Sequence, residues 1–142
     1  QADQRVLVEY AEELLPTLWG HLQDLGIDLP AVTFAWFLSL YTDCLPVEAL
    51  FRVWDLLFVE GMVTLFRVAI AILQMHEKEL LAVDTPAAFY SLMHRITGRL
   101  FSADKLVQAA SALRDRIKQA NIIQRRRAHV DALRIELGLE DG

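Results

Sequence analysis

The stretch Trp36–Gly61, WFLSLYTDCLPVEALFRVWDLLFVEG, restricts the fold more than any other part of the chain. It is split by Leu45-Pro46. The residue before a proline is pushed off the helical region, so the first segment is predicted to end by Leu45. A proline in the first helical position loses nothing by lacking an N–H, so a new helix is predicted from Pro46. Along it Val47, Leu50, Val53, Trp54, Leu57 and Phe58 recur at steps of three and four, the spacing of an amphipathic helix's core face. Gly61 suits the left-handed position just past a helix end.

The other segments are punctuated in the same way. Asp3 to Leu15 reads as a helix with Val6, Leu7, Tyr10 and Leu14 on one face. Pro16 opens a second, carrying Leu18, Trp19, Leu22 and Leu25, which Gly26 stops. Leu29-Pro30 opens a third with Val32, Phe34, Trp36, Phe37 and Leu40; it is apolar nearly all round and is expected to be buried on several sides. Met62 to Val83 reads as one long helix. Asp84-Thr85-Pro86 starts the next, with Asp84 or Thr85 as its cap, and Ser102 can cap the last. No Gly or Pro lies between Ala103 and Leu137, where a single helix would span about 50 Å. Its two apolar seams, Leu106-Ala110-Leu113-Ile117-Ala120 and Ile123-Val130-Leu133-Leu137, do not join in register, so a break is predicted near Asn121. No strand pattern is present. The fold class is all-α: a multi-helix antiparallel array over residues 1–101, with a long helix in a C-terminal extension over 102–142.

Apolar residues make up 54% of the 142, with mean hydropathy +0.29, which argues against disorder. No run reaches the roughly 18 uncharged apolar residues of a membrane span, and no secretory signal opens the chain. The single cysteine, Cys44, permits no internal disulfide and suits a reducing, cytoplasmic compartment. Charge is uneven. Residues 1–91 hold four basic and thirteen acidic side chains, whereas residues 92–142 hold ten and six. An acidic body with a basic tail hints at a separate role for the tail and does not suggest nucleic-acid binding.

The order WFLSLY, then Leu45-Pro46, then FRVWDLLFVEG resembles the TBC domain of Rab GTPase-activating proteins. Trp36, Phe37, Pro46, Arg52, Trp54, Asp55, Glu60 and Gly61 match that family's pattern, and Leu15-Pro16, His21-Leu22 and Leu65–Leu73 add to it. The resemblance runs over roughly residues 6 to 100. It implies an activator of Rab-type small GTPases in vesicle trafficking, cytoplasmic or peripheral on endomembranes. The family's catalytic arginine sits in Ile-x-x-Asp-x-x-Arg and its glutamine in Tyr-x-Gln, both in the N-terminal half. Neither motif occurs here: the tyrosines read Tyr10-Ala-Glu, Tyr41-Thr-Asp and Tyr90-Ser-Leu. The resemblance therefore implies the C-terminal, scaffold half of the domain, with no catalytic residue of its own and with the N-terminal half and a Rab-type GTPase as partners. A non-catalytic helical interaction or dimerisation module is the alternative.

Other chemistry is thinly represented. Arg52 and Asp55, three apart, can meet on one helix face and are read as a structural ion pair. His21, His76, His94 and His129 lack metal-ligand spacing, Cys44 has no nearby histidine, and no glycine-rich phosphate loop is present. No cofactor or metal is expected. Arg125-Arg126-Arg127, with Lys118 and Arg114 behind, is a candidate patch for an anionic membrane surface or a partner, diluted by nearby acids. The apolar surplus on Val32–Phe37 and Leu65–Ile72 predicts surface left for the other half of the domain, or self-association as a homodimer.

Overall fold

The computed structural model describes residues 2–98 and 103–138, and all regular structure among them is helical. The elements are α1 (Ala2–Leu14), α2 (Pro16–Asp24), α3 (Leu29–Leu38), α4 (Val47–Glu60), α5 (Val63–Met75), α6 (Glu77–Leu81), α7 (Pro86–Gly98), α8 (Ala103–Ser111) and α9 (Gln119–Glu136). The all-α expectation holds.

Packing is organised around α5. From Val63 to Leu73 every residue but Arg67 is buried. A helix that is apolar on all sides needs cover on all sides, and α1, α3, α4, α6 and α8 supply it. The surplus predicted at Leu65–Ile72 is thus consumed inside the chain, which corrects the expectation that it faces outward. Leu106 and Ala110 of α8, with Leu113 and Ile117 beyond it, are buried in the same core; this seam is not free to pair with another copy.

Three predicted boundaries move. The helix over Met62–Val83 is two, because the chain turns at His76 (φ −117°, ψ 18°). The turn brings α6 onto α2, where His21 Nε2–H donates to the Val83 carbonyl at 2.6 Å. The C-terminal break lies between α8 and α9, around residues 112–118, rather than near Asn121. Lys118 is extended there (φ −120°, ψ 145°) and α9 swings onto α1, leaving Ala120 exposed. Pro46 caps α4 from outside (φ −60°, ψ 155°) rather than opening it. Thr85, not Asp84, caps α7: its Oγ1 accepts from Ala88 N–H at 3.1 Å. The cap assigned to Ser102 lies outside the described residues.

The surplus that does reach the surface lies on α3 and α4. Leu29, Thr33 and Trp36 of α3 are buried, but Phe34 is half exposed and Leu38 is 75% exposed. On α4, Ala49, Leu50 and Val53 face the core, whereas Val47 and Phe58, both placed on the core face by their spacing, point outward. Between the two helices Leu40 (φ 50°) and Tyr41 (φ 67°) are left-handed without being glycine, a conformation that costs on the order of 1 kcal/mol or more per residue. Tyr41 pins this turn. Its buried ring lies against Trp36 and Phe37, and its hydroxyl donates to the Leu65 carbonyl at 2.6 Å.

Candidate functional site

The residues carrying the family resemblance gather around α4 and the turn before it. Trp36 is buried beside Tyr41, and Phe37 meets Phe66 of α5 edge-on, centroids 5.1 Å apart. Trp54 is half-buried, and its indole N–H donates to the Leu40 carbonyl at 3.0 Å. That bond holds the strained turn from the α4 side, as Tyr41 holds it from α5. Gly61 ends α4 with φ 88° and ψ −168°. The positive φ was predicted; the extended ψ places it in a region open essentially to glycine alone.

Arg52 and Asp55 do not meet. Arg52, 46% exposed, reaches across to Asp104 at the start of α8, 2.5 Å away, because α8 packs along α4. Asp55 points into solvent on the outer face of α4 and has no hydrogen bond or ion pair among the described residues. The intrahelical pair read from the sequence is therefore corrected on both sides.

Glu60 is the most connected of the signature residues. Its carboxylate accepts from Arg67 at 2.8 Å and from Arg114 at 2.7 and 3.2 Å. Arg67 also donates from Nε to the Ile117 carbonyl at 3.0 Å. One carboxylate thus ties the end of α4, the middle of α5 and the α8–α9 connection together. Both Glu60 and Arg67 are largely withdrawn from water. Removing one member of such a pair strands the other. Glu60→Gln is expected to cost about 2 kcal/mol, read as a lower urea midpoint, while Arg114→Ala, which removes an exposed partner, leaves the midpoint nearly in place. Equal losses from both would contradict this arrangement. Neither Arg67 nor Arg114 was identified from the sequence as a partner of Glu60; the α4–α5 turn delivers the first and the chain beyond α8 the second, and no local pattern announces either contact.

The basic tail is largely spent inside the molecule. Arg125 pairs with Glu13 at 3.0 Å and Glu9 at 3.4 Å and lies over the Tyr10 ring; Arg126 pairs with Asp3. His129 Nε2 is 2.8 Å from Glu9, and Tyr10 O–H donates to Asn121 at 2.6 Å. Asp3, Glu9 and Glu13 of the acidic body and Arg125 and Arg126 of the basic tail thus meet in the α1–α9 contact. Of the three arginines proposed as a membrane or partner patch, two are committed to α1 and Arg127 is exposed.

An open groove of about 1100 Å³ runs between α1, α2, the start of α3 and α9, with Trp19, Phe34, Arg5, Asp28 and His129 among its walls. It holds no nucleophile–base pair. Burial, and then Asp43, pushes the Cys44 thiol up to about 12, so Cys44 stays protonated and inert at neutral pH. Among the described residues no group of His, Cys, Asp and Glu has the arrangement of a metal site, and no helix is long and apolar enough to cross a membrane.

Comparison with known proteins matches this arrangement to one family. The model of the Rab-GTPase-TBC domain, RabGAP-TBC, matches residues 1–81. A TBC domain-containing protein of Schizosaccharomyces pombe is 39% identical over 127 residues, covering 89% of this chain and 16% of its own length. TBC1 domain family member 2A of Homo sapiens is 36% identical over 137 residues, covering 96% of this chain and 15% of its own. The chain thus spans about one-sixth of these relatives. The crystal structure of the Chlamydomonas flagellar RabGAP TBC domain superposes with a TM-score of 0.72 at 34% identity, covering 75% of this chain and 37% of that one. With more than half of its residues matched to the family model and its fold matched to a solved member, the chain belongs to the RabGAP-TBC family.

Proposed function

We propose that this chain is the scaffold part of a GTPase-activating domain for a Rab-type small GTPase and supplies none of the catalytic groups. One observation carries the reading. The chain matches the family in sequence and fold yet covers 37% of a solved TBC domain, and it contains neither Ile-x-x-Asp-x-x-Arg nor Tyr-x-Gln. In the complete domain an arginine and a glutamine enter the GTPase site, where they neutralise charge developing on the transferred phosphoryl group and position water. Nucleotide and Mg²⁺ belong to the GTPase; the scaffold needs no cofactor. Residues 1–101 form the C-terminal subdomain, and 102–142 a helical segment, also aligned with the relatives, that braces it. The setting is vesicle trafficking, at the cytoplasmic surface of endomembranes. The apolar outer face of α4 favours a second reading, a non-catalytic interaction or dimerisation module.

Single-turnover GTP hydrolysis by a panel of Rab proteins tests the first reading. With this chain alone the rate is expected to stay within tenfold of the intrinsic one, a barrier change below about 1.4 kcal/mol. A larger stimulation would mean that the chain carries catalytic groups and is not a scaffold.

A further inference from the structure

α9 meets α1 mainly through charge. One side chain of α9, Ile122 in its first turn, is fully buried. Beyond it the inward positions are Arg125, Arg126, His129, Val130 and Leu133, and each is only half-buried. Arg125 pairs with Glu9 and Glu13, Arg126 with Asp3, and His129 with Glu9. Water reaches these groups: Arg126 is 38% exposed, Asp3 42% and Glu13 51%. Val130 and Leu133 line a small crevice with Ala2 and Arg5. The elements on either side of this contact are anchored without it. α1 buries Val6, Leu7 and Ala11 and packs on α2, α3 and α5. Leu113 and Ile117, just before α9, are buried in the core, and Arg67 holds the Ile117 carbonyl. The next residue, Lys118, is exposed and extended.

We propose that α9 is a strap latched by ion pairs: as ionic strength rises it lifts from α1, pivoting between Lys118 and Ile122, while α1–α8 stay folded. The screening length falls from about 10 Å at 0.1 M salt to about 3 Å at 1 M, and pairs within reach of water weaken with it. Burial of apolar surface is not screened in this way. The same rise in salt therefore loosens the α1–α9 contact and spares the core around α5. Segments with few buried apolar contacts are also the ones that open locally, below the cost of global unfolding. Opening changes what the chain displays. In the latched form Arg125 and Arg126 are spent on α1, and of the three consecutive arginines Arg127 faces water. In the open form all three are free together, and His129 leaves the wall of the groove beside Trp19 and Phe34. The basic cluster read from the sequence is thus a property of the open form, offered to an anionic partner only there.

Amide hydrogen exchange of the 142-residue chain in sodium chloride tests this. Between about 0.05 M and 1 M salt, the amides of residues 123–136 are expected to exchange at least tenfold faster, while those of α5 keep their protection. Arg125→Gln with Arg126→Gln is expected to exchange fast in α9 already at low salt, with no further response to salt and with α5 still protected. Asp3→Arg with Arg126→Glu, which reverses one pair and keeps it, is expected to restore both the protection of α9 and its salt dependence. Protection of α9 that salt leaves unchanged would overturn the proposal, because the contact would then not be held by charge. So would an α9 that is unprotected in the wild-type chain at low salt, or a double glutamine variant as protected as the wild type. Loss of α5 protection together with that of α9, by salt or by substitution, would also overturn it, since the strap would then not be separable from the body.

Discussion

Replacing Tyr41 by alanine is expected to cost about 3–5 kcal/mol, enough to unfold a domain of ordinary stability. The ring is buried between Trp36, Phe37 and α5, so truncation leaves a cavity between α3 and α5. It also frees a turn that has two non-glycine residues with positive φ, a strain that persists only while surrounding contacts outweigh it. Tyr41→Phe keeps the ring and loses the bond to the Leu65 carbonyl; it is expected to cost about 1 kcal/mol. Urea denaturation separates the two. A Tyr41→Phe loss as large as that of alanine would put the turn's stability in the hydroxyl rather than in the packing.

The same pocket gives a pH signature. Burial, and then the neighbouring Cys44, raises the Tyr41 phenol well above its ordinary value of 10.0, and burial raises Cys44 from 9.0 to about 12. Both are acids whose protonated form the fold favours. Their contribution is fully present below pH 9, and it is lost as pH rises through the range where the unfolded chain releases these protons and the native one does not. Stability is therefore expected to fall above about pH 9, and less steeply in Tyr41→Phe.

What the sequence made legible follows from the range of the forces involved. Helix starts at Pro16, Leu29-Pro30 and Thr85-Pro86 depend on residues a few positions apart, and each lies within a residue or two of its prediction. Spacing gave the existence of α4 but not which apolar side is covered. Val47 and Phe58 keep the same period as Leu50 and Val53, and only the positions of α5 and α8 decide which face the core takes. The break at His76 carries no Gly or Pro; it is imposed by docking α6 on α2. Pair partners were least legible. Arg52 chose Asp104 over Asp55, and Glu60 drew in Arg67 and Arg114, because a long charged side chain takes the partner that tertiary packing delivers. The charge contrast between the two ends was visible, but not that α9 lies on α1 and neutralises it.

The largest effect expected anywhere is catalytic. Joined covalently to the remainder of the Chlamydomonas TBC domain, in place of that domain's own aligned part, this chain is expected to complete an activator if that remainder supplies the arginine and glutamine of the proposal. An arginine finger alone is typically worth about 10³–10⁵ in rate, and it can act only if its backing is correctly placed. Covalent joining removes any dependence on the strength of association between the two parts, so the result bears on the scaffold reading itself. The most direct measurement is single-turnover GTP hydrolysis by a panel of Rab proteins, with the joined protein set beside this chain alone. The account predicts at least about 10³-fold acceleration of one or more Rabs by the joined protein, abolished when the finger arginine is removed, and none by the chain alone. A joined protein that folds yet accelerates no Rab, or a chain that accelerates one unaided, would contradict it.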